Sequence, residues 1–228
     1  MNKLLVTALA VMMSTPACAL DPGVYAKGKI LEYQKKTVFI KSTYPPVTTL
    51  IINGHRILAR PQSFGSGAIV SKYGHILTAA HVVDNAETVE VRLFGETEFY
   101  LAEVLREDAE KDLALLKINC RKRLPYFRYN PIVFIGDAVT VVGHPFLLEW
   151  SVTKGYVSGV YEQAMTIDAA VNPGNSGGPV IDKNGKLVGI TSAIITPVGA
   201  FVGIGVIVAG NQISSFMEIY KGLGRFLK

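Results

Sequence analysis

Short apolar runs broken by Gly, Asn or Pro recur along the chain, whereas helical periodicity is scarce. Turn residues stand between several of these runs, at positions 53–54, 73–74 and 184–185. This spacing is typical of a sandwich or barrel built from β-hairpins. Strands are therefore predicted at Thr48–Ile52, Gly67–Val70, Ile76–Ala79, Thr88–Phe94, Phe99–Leu105, Leu113–Ile118, Ala138–Val142, Tyr156–Tyr161, Ala164–Ile167, Leu187–Ile194 and Phe201–Val208.

One helix is predicted near the C-terminus, where apolar residues return at helical spacing. Asn211 can cap its first turn, and Gly222 ends it. Its apolar face would consist of Ile213, Phe216, Met217 and Tyr220. The pattern as a whole predicts an all-β chain that closes with a short helix.

The first residues have the pattern of an export signal. Lys3 is followed by the apolar run Leu4–Met13, which is too short to span a bilayer, and then by the small-x-small sequence Ala17-Cys18-Ala19. We expect cleavage after Ala19 and a periplasmic or secreted product. Lipid anchoring through Cys18 is the weaker alternative, because Thr15 and Pro16 stand where lipoprotein signals usually carry a large aliphatic residue. No later stretch is long enough for a membrane span.

Composition excludes several classes of protein. Hydrophobic residues make up 49% and charged residues 18%, which rules out a disordered chain. The net charge of +5 is too small to indicate nucleic acid by itself. Loss of Cys18 with the signal would leave Cys120 as a small packed residue without a disulfide partner. No CxxC or His-rich cluster occurs, so neither a metal nor another cofactor is predicted.

The segment Asn172–Pro179 is the strongest candidate for a functional loop. It reads N-P-G-N-S-G-G-P, and so many Gly and Pro residues make a rigid loop with unusual backbone angles. The N–H groups of Gly174 and Ser176 could converge on one point and stabilise an oxyanion. The alternative is a Gly-rich hairpin that contains an ordinary serine.

A nucleophilic serine needs a histidine base, and that base needs an orienting carboxylate. The chain has four histidines, His55, His75, His81 and His144, and His81 directly follows a predicted apolar strand. Asp112 opens the apolar run D-L-A-L-L-K-I, where a carboxylate is costly unless it has a partner. The other acidic candidates, Asp84, Asp108 and Asp137, look like surface or turn residues, and no role is assigned to Asp168.

Chain order separates two hydrolase types. Residues 174–178 also fit G-x-S-x-G, the nucleophile elbow of α/β-hydrolases, but that fold requires a histidine after the serine. All four histidines precede Ser176. The order His81, Asp112, Ser176 is instead that of chymotrypsin-type proteases.

At these residues the sequence resembles the trypsin-like serine proteases of the DegP/HtrA group. The matching segments, in order, are G-S-G-A-I-V-S (65–71), H-I-L-T-A-A-H-V-V (75–83), D-L-A-L-L-K-I (112–118), G-H-P-F (143–146), D-A-A-V-N-P-G-N-S-G-G-P-V (168–180) and G-K-L-V-G-I-T-S-A-I (185–194). The resemblance implies two six-stranded antiparallel barrels, with the active site in the cleft between them.

The resemblance also implies roles for particular residues. Ser176 would be the nucleophile, His81 the general base and then acid, and Asp112 the group that orients His81. Gly174, Asn175 and Ser176 would supply the oxyanion hole, while Thr191, Ser192 and Ala193 would pair with the substrate as an added strand.

The specificity pocket is expected to be apolar. In this fold its base lies near Ala169 and Ala170, and Ile190 and Ile194 follow nearby. We therefore expect cleavage of protein or peptide substrates after small or medium aliphatic residues.

The implied domain layout follows the same alignment. A signal peptide occupies residues 1–19, and residues 20–64 form an N-terminal segment that lies partly in the first barrel. The first barrel spans 65–120, a solvated basic linker 121–130, the second barrel 131–209 and the C-terminal helix 210–228.

The sequence departs from the group in several ways. It ends 20 residues after Val208, leaving no room for a PDZ domain, and only Glu162 and Gln163 occupy the usual regulatory loop. His144 replaces the usual Asn of a G-N-P-F motif. These departures suggest a protease controlled without a PDZ ligand, of undetermined oligomeric state.

Two other functions stay open. The chain could be a non-catalytic peptide-binding protein on the same fold, or a basic surface binder that uses Arg121–Arg123.

Overall fold

The computed structural model of the chain describes residues 28–46, 48–52, 55–194 and 203–222. The predicted signal peptide and Cys18 lie outside this part. The first half of the described chain forms strands β1 (Thr37–Thr43), β2 (Thr48–Ile52), β3 (His55–Ala59), β4 (Gln62–Ile69), β5 (His75–Thr78), β6 (Thr88–Leu93), β7 (Phe99–Asp108) and β8 (Leu113–Ile118). Six of these close an antiparallel barrel in the order β1-β4-β5-β8-β7-β6, and β2 and β3 form a separate hairpin.

The second half repeats this architecture. Its strands are β9 (Ala138–Gly143), β10 (Ser151–Val160), β11 (Ala164–Ile167), β12 (Pro179–Asp182), β13 (Leu187–Ile194) and β14 (Gly205–Ala209). They close a second antiparallel barrel in the order β10-β11-β14-β13-β12-β9. The prediction of two six-stranded barrels is therefore confirmed.

In the described part of the chain, two α-helices flank the barrels. Helix α1 (Lys29–Lys35) leads into β1, and α2 (Gly210–Gly222) follows β14. Helix α2 begins one residue before the predicted cap, and Asn211 lies in its first turn, where its Oδ1 accepts from the N–H of Gln212 at 2.8 Å. Within the described ranges, no helix combines the length and apolar character needed to cross a bilayer.

Strand β8 explains how the core is divided. Successive side chains of a strand point to opposite faces. Ala114, Leu116 and Ile118 belong to the cluster inside the first barrel. Leu113 and Leu115 belong to a second cluster that also contains residues of the other barrel, α1 and α2. A third cluster fills the second barrel. The two barrels are therefore joined by a shared core, at the end of which the candidate site lies.

Candidate active site

His81 and Asp112 meet at the ends of two neighbouring strands. His81 lies in a short 3₁₀ helix, Ala80–Val82, directly after β5, and Asp112 directly precedes β8. Strands β5 and β8 pair with Thr78 opposite Ala114. The Nδ1 atom of His81 lies 3.0 Å from both Oδ1 and Oδ2 of Asp112, and its backbone N–H donates to Oδ1 at 3.0 Å.

This geometry fixes the orientation of the imidazole. Because Nδ1 faces the carboxylate, Nε2 points to the opposite side, and the His81 side chain is 49% exposed. Asp112 adopts a left-handed backbone conformation with φ 51°, which is uncommon for a residue other than glycine. Such conformations cluster at functional sites, where the surrounding structure holds them.

Hydrogen bonds keep Asp112 ionised. Burial alone would raise the pKa of its carboxyl group, but donors from the His81 side chain, the Ser192 hydroxyl and the His81 backbone hold that pKa below its ordinary value. The hydroxyl of Ser192 donates to Oδ2 at 2.5 Å. The site therefore contains a fixed negative charge against one side of the imidazole.

The other acidic candidates have different partners. Asp108 pairs with Lys111 at 3.0 Å, and Asp84 accepts from the side chain of Asn85. Asp137 accepts from the backbone N–H of Phe134 at 2.9 Å. Of these carboxylates, only Asp112 contacts His81 in the described part of the chain.

The Ser176 loop is held against the first barrel by its backbone. The N–H of Ser66, on β4, donates to the carbonyl of Ser176 at 2.8 Å. Gly177 has φ 81°, and a Cβ there would overlap Thr78 Oγ1 and Ser66 O. A glycine is required at this point, because the loop of one barrel touches the strands of the other.

Ser192 joins the serine to the His–Asp pair. The hydroxyl of Ser176 donates to the carbonyl oxygen of Ser192 at 3.3 Å, while the hydroxyl of Ser192 contacts Asp112. Among the described residues, no hydrogen bond joins Ser176 to His81. The sequence predicted Ser192 only as a substrate contact, and it gave no signal of this second contact, because Ser192 and Asp112 lie 80 residues apart in the chain.

Two of the three backbone N–H groups in the expected oxyanion loop could donate to a substrate oxyanion. The N–H of Asn175 donates to the carbonyl of Asn172 at 2.9 Å, which closes a turn. Those of Gly174 and Ser176 have no acceptor in the part of the chain that the structure describes. The carbonyl of Pro173 accepts from the N–H of Phe146 at 2.9 Å, so the N–H of Gly174 points away from that contact.

The expected substrate-contact residues lie in different environments. Ile190 and Thr191 are 0% exposed, and Ile190 packs in the core between the barrels. Residues 193 and 194 pair with Val206 and Gly205 of β14, whereas the pairing of β13 with β12 includes only residues 187–190. The last residues of β13 therefore form a sheet edge beside Ser176.

Two other expectations concern the pocket near residues 168–170. Ala169 is buried in the core of the second barrel, and the carbonyl of Ala170 accepts from the hydroxyl of Thr153 at 2.9 Å. The Oδ1 atom of Asp168 accepts from the backbone N–H of Tyr156 at 2.5 Å, so this carboxylate ties the residue after β11 to β10. Val171 is buried against Gly205.

A small cavity adjoins the acidic side of the site. It has a volume of about 170 Å³ and is lined by Asp112, Ser192, Val206, Ile207 and neighbouring side chains. In the described ranges, no group of three or more His, Cys, Asp or Glu residues could hold a metal ion. Cys120 is half-buried beside the first barrel's core, where its Sγ contacts the carbonyl of Lys122.

Two barrels that hold a His–Asp pair beside a Gly-rich serine loop define a trypsin-like peptidase domain. Residues 65–190 match the family described as the trypsin-like peptidase domain, and the chain belongs to that family. Its relatives confirm the predicted similarity to the DegP/HtrA group.

Three curated relatives illustrate this similarity. A probable periplasmic serine endoprotease, DegP-like, of Bartonella henselae is 38% identical over 78% of this chain and 37% of its own length. The protein of that description from Rickettsia prowazekii is 31% identical over 94% of this chain and 45% of its own length. The chloroplastic Protease Do-like 1 of Arabidopsis thaliana is 34% identical over 74% of this chain and 42% of its own length. This chain thus spans less than half the length of each relative.

Solved structures give the same result. The HtrA-type protease AlgW with a decapeptide superposes with a TM-score of 0.73 and 28% identity, over 85% of this chain and 66% of that one. The HtrA-type protease AlgW with a tripeptide superposes with a TM-score of 0.72 and 29% identity, over 83% of this chain and 61% of that one.

Proposed function

We propose that the chain is an exported serine endopeptidase that hydrolyses proteins through an acyl-enzyme. Ser176 is the nucleophile, His81 the general base and then acid, and Asp112 the group that orients His81. The observation that carries this proposal is the contact of His81 Nδ1 with both oxygens of Asp112 at 3.0 Å, which leaves Nε2 on the side of the ring away from the carboxylate.

Substrate binding would complete the catalytic arrangement. The bond from Ser176 Oγ to the Ser192 carbonyl is long for two oxygens, at 3.3 Å, and is therefore weak. A substrate N–H can replace the serine as the donor to that carbonyl. The released hydroxyl then rotates toward Nε2 of His81, which it needs as a base.

The reaction then follows from the positions of these groups. Nε2 accepts the proton of Ser176 as Oγ attacks the substrate carbonyl, and the N–H groups of Gly174 and Ser176 stabilise the oxyanion. His81 donates that proton to the leaving amine, and the peptide bond breaks. His81 then deprotonates a water that attacks the acyl-enzyme, and it returns this proton to Ser176 Oγ as the ester bond breaks. Ionised Asp112 stabilises the imidazolium in each step.

The sheet edge at the end of β13 favours extended peptide segments as substrates. Its backbone groups at residues 192–194 lie beside Ser176 and can pair with a peptide as an added strand. Since folded proteins rarely expose such segments, we propose unfolded proteins as the substrates, in a quality-control role. The small residues Ala169 and Ala170 lead us to propose a small or medium aliphatic residue before the cut. The periplasmic relatives support a periplasmic location.

The test compares the wild type with Ser176→Ala and His81→Ala on unfolded casein. Both variants should fold normally and lose turnover by on the order of a thousandfold or more. Ser158→Ala is the matched control, because Ser158 is an exposed serine whose hydroxyl, among the described residues, bonds only to Thr166. A wild type that binds casein without cutting it, and that a fluorophosphonate does not label at Ser176, would indicate a non-catalytic peptide-binding protein instead.

A further inference from the structure

The segment that follows β9 carries unusual backbone strain. Three of its residues other than glycine have left-handed conformations: Phe146 (φ 51°), Leu147 (φ 65°) and Trp150 (φ 48°). Such conformations persist only where the surroundings hold them, and they cluster at functional sites. Here the N–H of Phe146 donates to the carbonyl of Pro173, next to Gly174. The strained segment is thus in direct contact with the serine loop.

His144, which opens this segment, is completely buried. It is 0% exposed and lies edge-on between the rings of Phe39, at 5.1 Å, and Trp150, at 4.8 Å. Its Nδ1 atom lies 2.9 Å from the hydroxyl of Ser66. Burial, with the nearby charge of Arg92, lowers the pKa of His144 to about 3, so the ring is neutral at physiological pH.

The hydrogen bonds of Ser66 fix the tautomer of this ring. The hydroxyl of Ser66 lies 2.8 Å from the carbonyl of Gly174, which can only accept, so Ser66 must donate there. A hydroxyl has one proton, and Ser66 therefore accepts from His144. The proton of the neutral ring is on Nδ1, and the buried Nε2 has no hydrogen-bond partner among the described residues.

The two peptide groups that flank Gly174 are therefore both fixed from outside the loop. The carbonyl of Pro173 is held by Phe146, and that of Gly174 by Ser66. In a trans peptide the N–H points opposite to the carbonyl. The bond to the Pro173 carbonyl thus determines where the N–H of Gly174 points, and the bond to the Gly174 carbonyl determines how the chain approaches Ser176. The N–H groups of Gly174 and Ser176 are the two donors of the proposed oxyanion hole.

We propose that His144 and Ser66 are positioning residues for the oxyanion hole, acting through a relay from His144 Nδ1–H to Ser66 Oγ–H to the carbonyl of Gly174. The relay deepens the proposed peptidase function and rests on it. It also assigns a role to His144, where the sequence departs from the usual G-N-P-F motif. An Asn side chain carries an N–H donor as well, whereas an aliphatic one has none.

The experiment measures kcat and KM for a peptide substrate and the inhibition constant of a peptide aldehyde. The aldehyde adds to Ser176 and places its oxyanion in the hole, so it reports on the donors directly. Ser66→Ala and His144→Leu should each lower kcat about 10- to 100-fold, with KM within twofold of the wild-type value. Each should raise the inhibition constant of the aldehyde by a similar factor. His144→Asn should recover most of the loss, because it restores a donor to Ser66.

Ser71→Ala is the matched control. Ser71 also bonds a buried histidine, His75, at 2.6 Å, but it does not contact the serine loop. Its variant should keep the wild-type kcat and aldehyde affinity. The double variant Ser66→Ala/His144→Leu should be no worse than either single change, because both break one relay.

The results separate the relay from the function it serves. An active wild type with an equally active Ser66→Ala would overturn the relay alone, as would a loss confined to KM. A loss of kcat in Ser71→Ala equal to that in Ser66→Ala would also overturn it, since any buried Ser–His bond would then suffice. A wild type inert to both substrate and aldehyde would overturn the peptidase function together with the relay.

Discussion

Replacing His144 by Asn should make the protein less sensitive to acid. Burial, with a smaller contribution from Arg92, lowers the pKa of His144 to about 3 in the folded protein. In the unfolded chain a histidine titrates near pH 6.5. Between these values the unfolded state binds a proton that the folded state excludes, so the free energy of unfolding falls as the pH falls from about 6.5.

The size of this effect follows from the two pKa values. At pH 5 the folded ring is still neutral, and the unfolded ring lies about 1.5 pH units below its midpoint. At about 1.4 kcal/mol per unit, His144 lowers the free energy of unfolding by about 2 kcal/mol relative to pH 8. Burial also lowers the pKa of His75, to about 4, but His75 is present in both proteins and its effect cancels in the comparison.

The assay is urea unfolding at pH 8 and pH 5, with and without His144→Asn, on a Ser176→Ala background that prevents self-digestion. Trp150 is the only tryptophan in the sequence and is 3% exposed, so its fluorescence reports unfolding. The loss of stability between the two pH values should be about 2 kcal/mol smaller in the Asn variant. Equal losses in both proteins would refute the reasoning, whatever the substitution does to stability at pH 8.

Three further predictions test packing, backbone and catalysis. Gly177→Ala should abolish activity and destabilise the fold, because the added Cβ has no space. Gly136 also has a positive φ but has open space around it, so Gly136→Ala should lower the free energy of unfolding in urea by only about 1–2 kcal/mol. Phe216→Ala should cost about 3–5 kcal/mol because that ring is fully buried, whereas Phe134→Ala, 68% exposed in the wild type, should leave the melting temperature almost unchanged. Asp112→Asn should fold but lower kcat by on the order of 10⁴, as measured with a peptide substrate, because it no longer holds His81 in the required tautomer.

The pattern of apolar and polar residues predicted those strands in which the two kinds of residue alternate or whose ends are marked by clear turns. Leu113–Ile118 and Ala164–Ile167 have the predicted bounds. Strand β1 was missed because its apolar run has only three residues, Val38–Ile40, and two of its buried residues, Thr37 and Ser42, are polar. Strand β12 was missed because it begins with Pro179 directly after the Gly-rich loop, although Pro is tolerated at the first position of a strand.

The candidate site was predictable where chemistry demands particular residues in a fixed order. The serine loop, His81 and Asp112 could be found in this way, and their catalytic roles stay predictions. The second contact of Ser192 and the bond between Ser66 and His144 could not, because they join segments 80 and 78 residues apart that only the closed barrels bring together. Ile190 was expected beside the substrate, but its alternation in β13 turns it into the core between the barrels.

The position of the serine depends on how the two barrels dock. His81 and Asp112 belong to the first barrel, Ser176 and Ser192 to the second, and the bond from Ser66 N–H to the Ser176 carbonyl crosses between them. Beneath this seam the shared core continues through residues of both barrels and α2. A small rotation of one barrel would therefore break the Asp112–Ser192 contact. It would also displace both oxyanion donors relative to His81. We therefore expect packing far from the cleft, at α2 for instance, to affect the proposed activity, because it fixes the docking angle that the site requires.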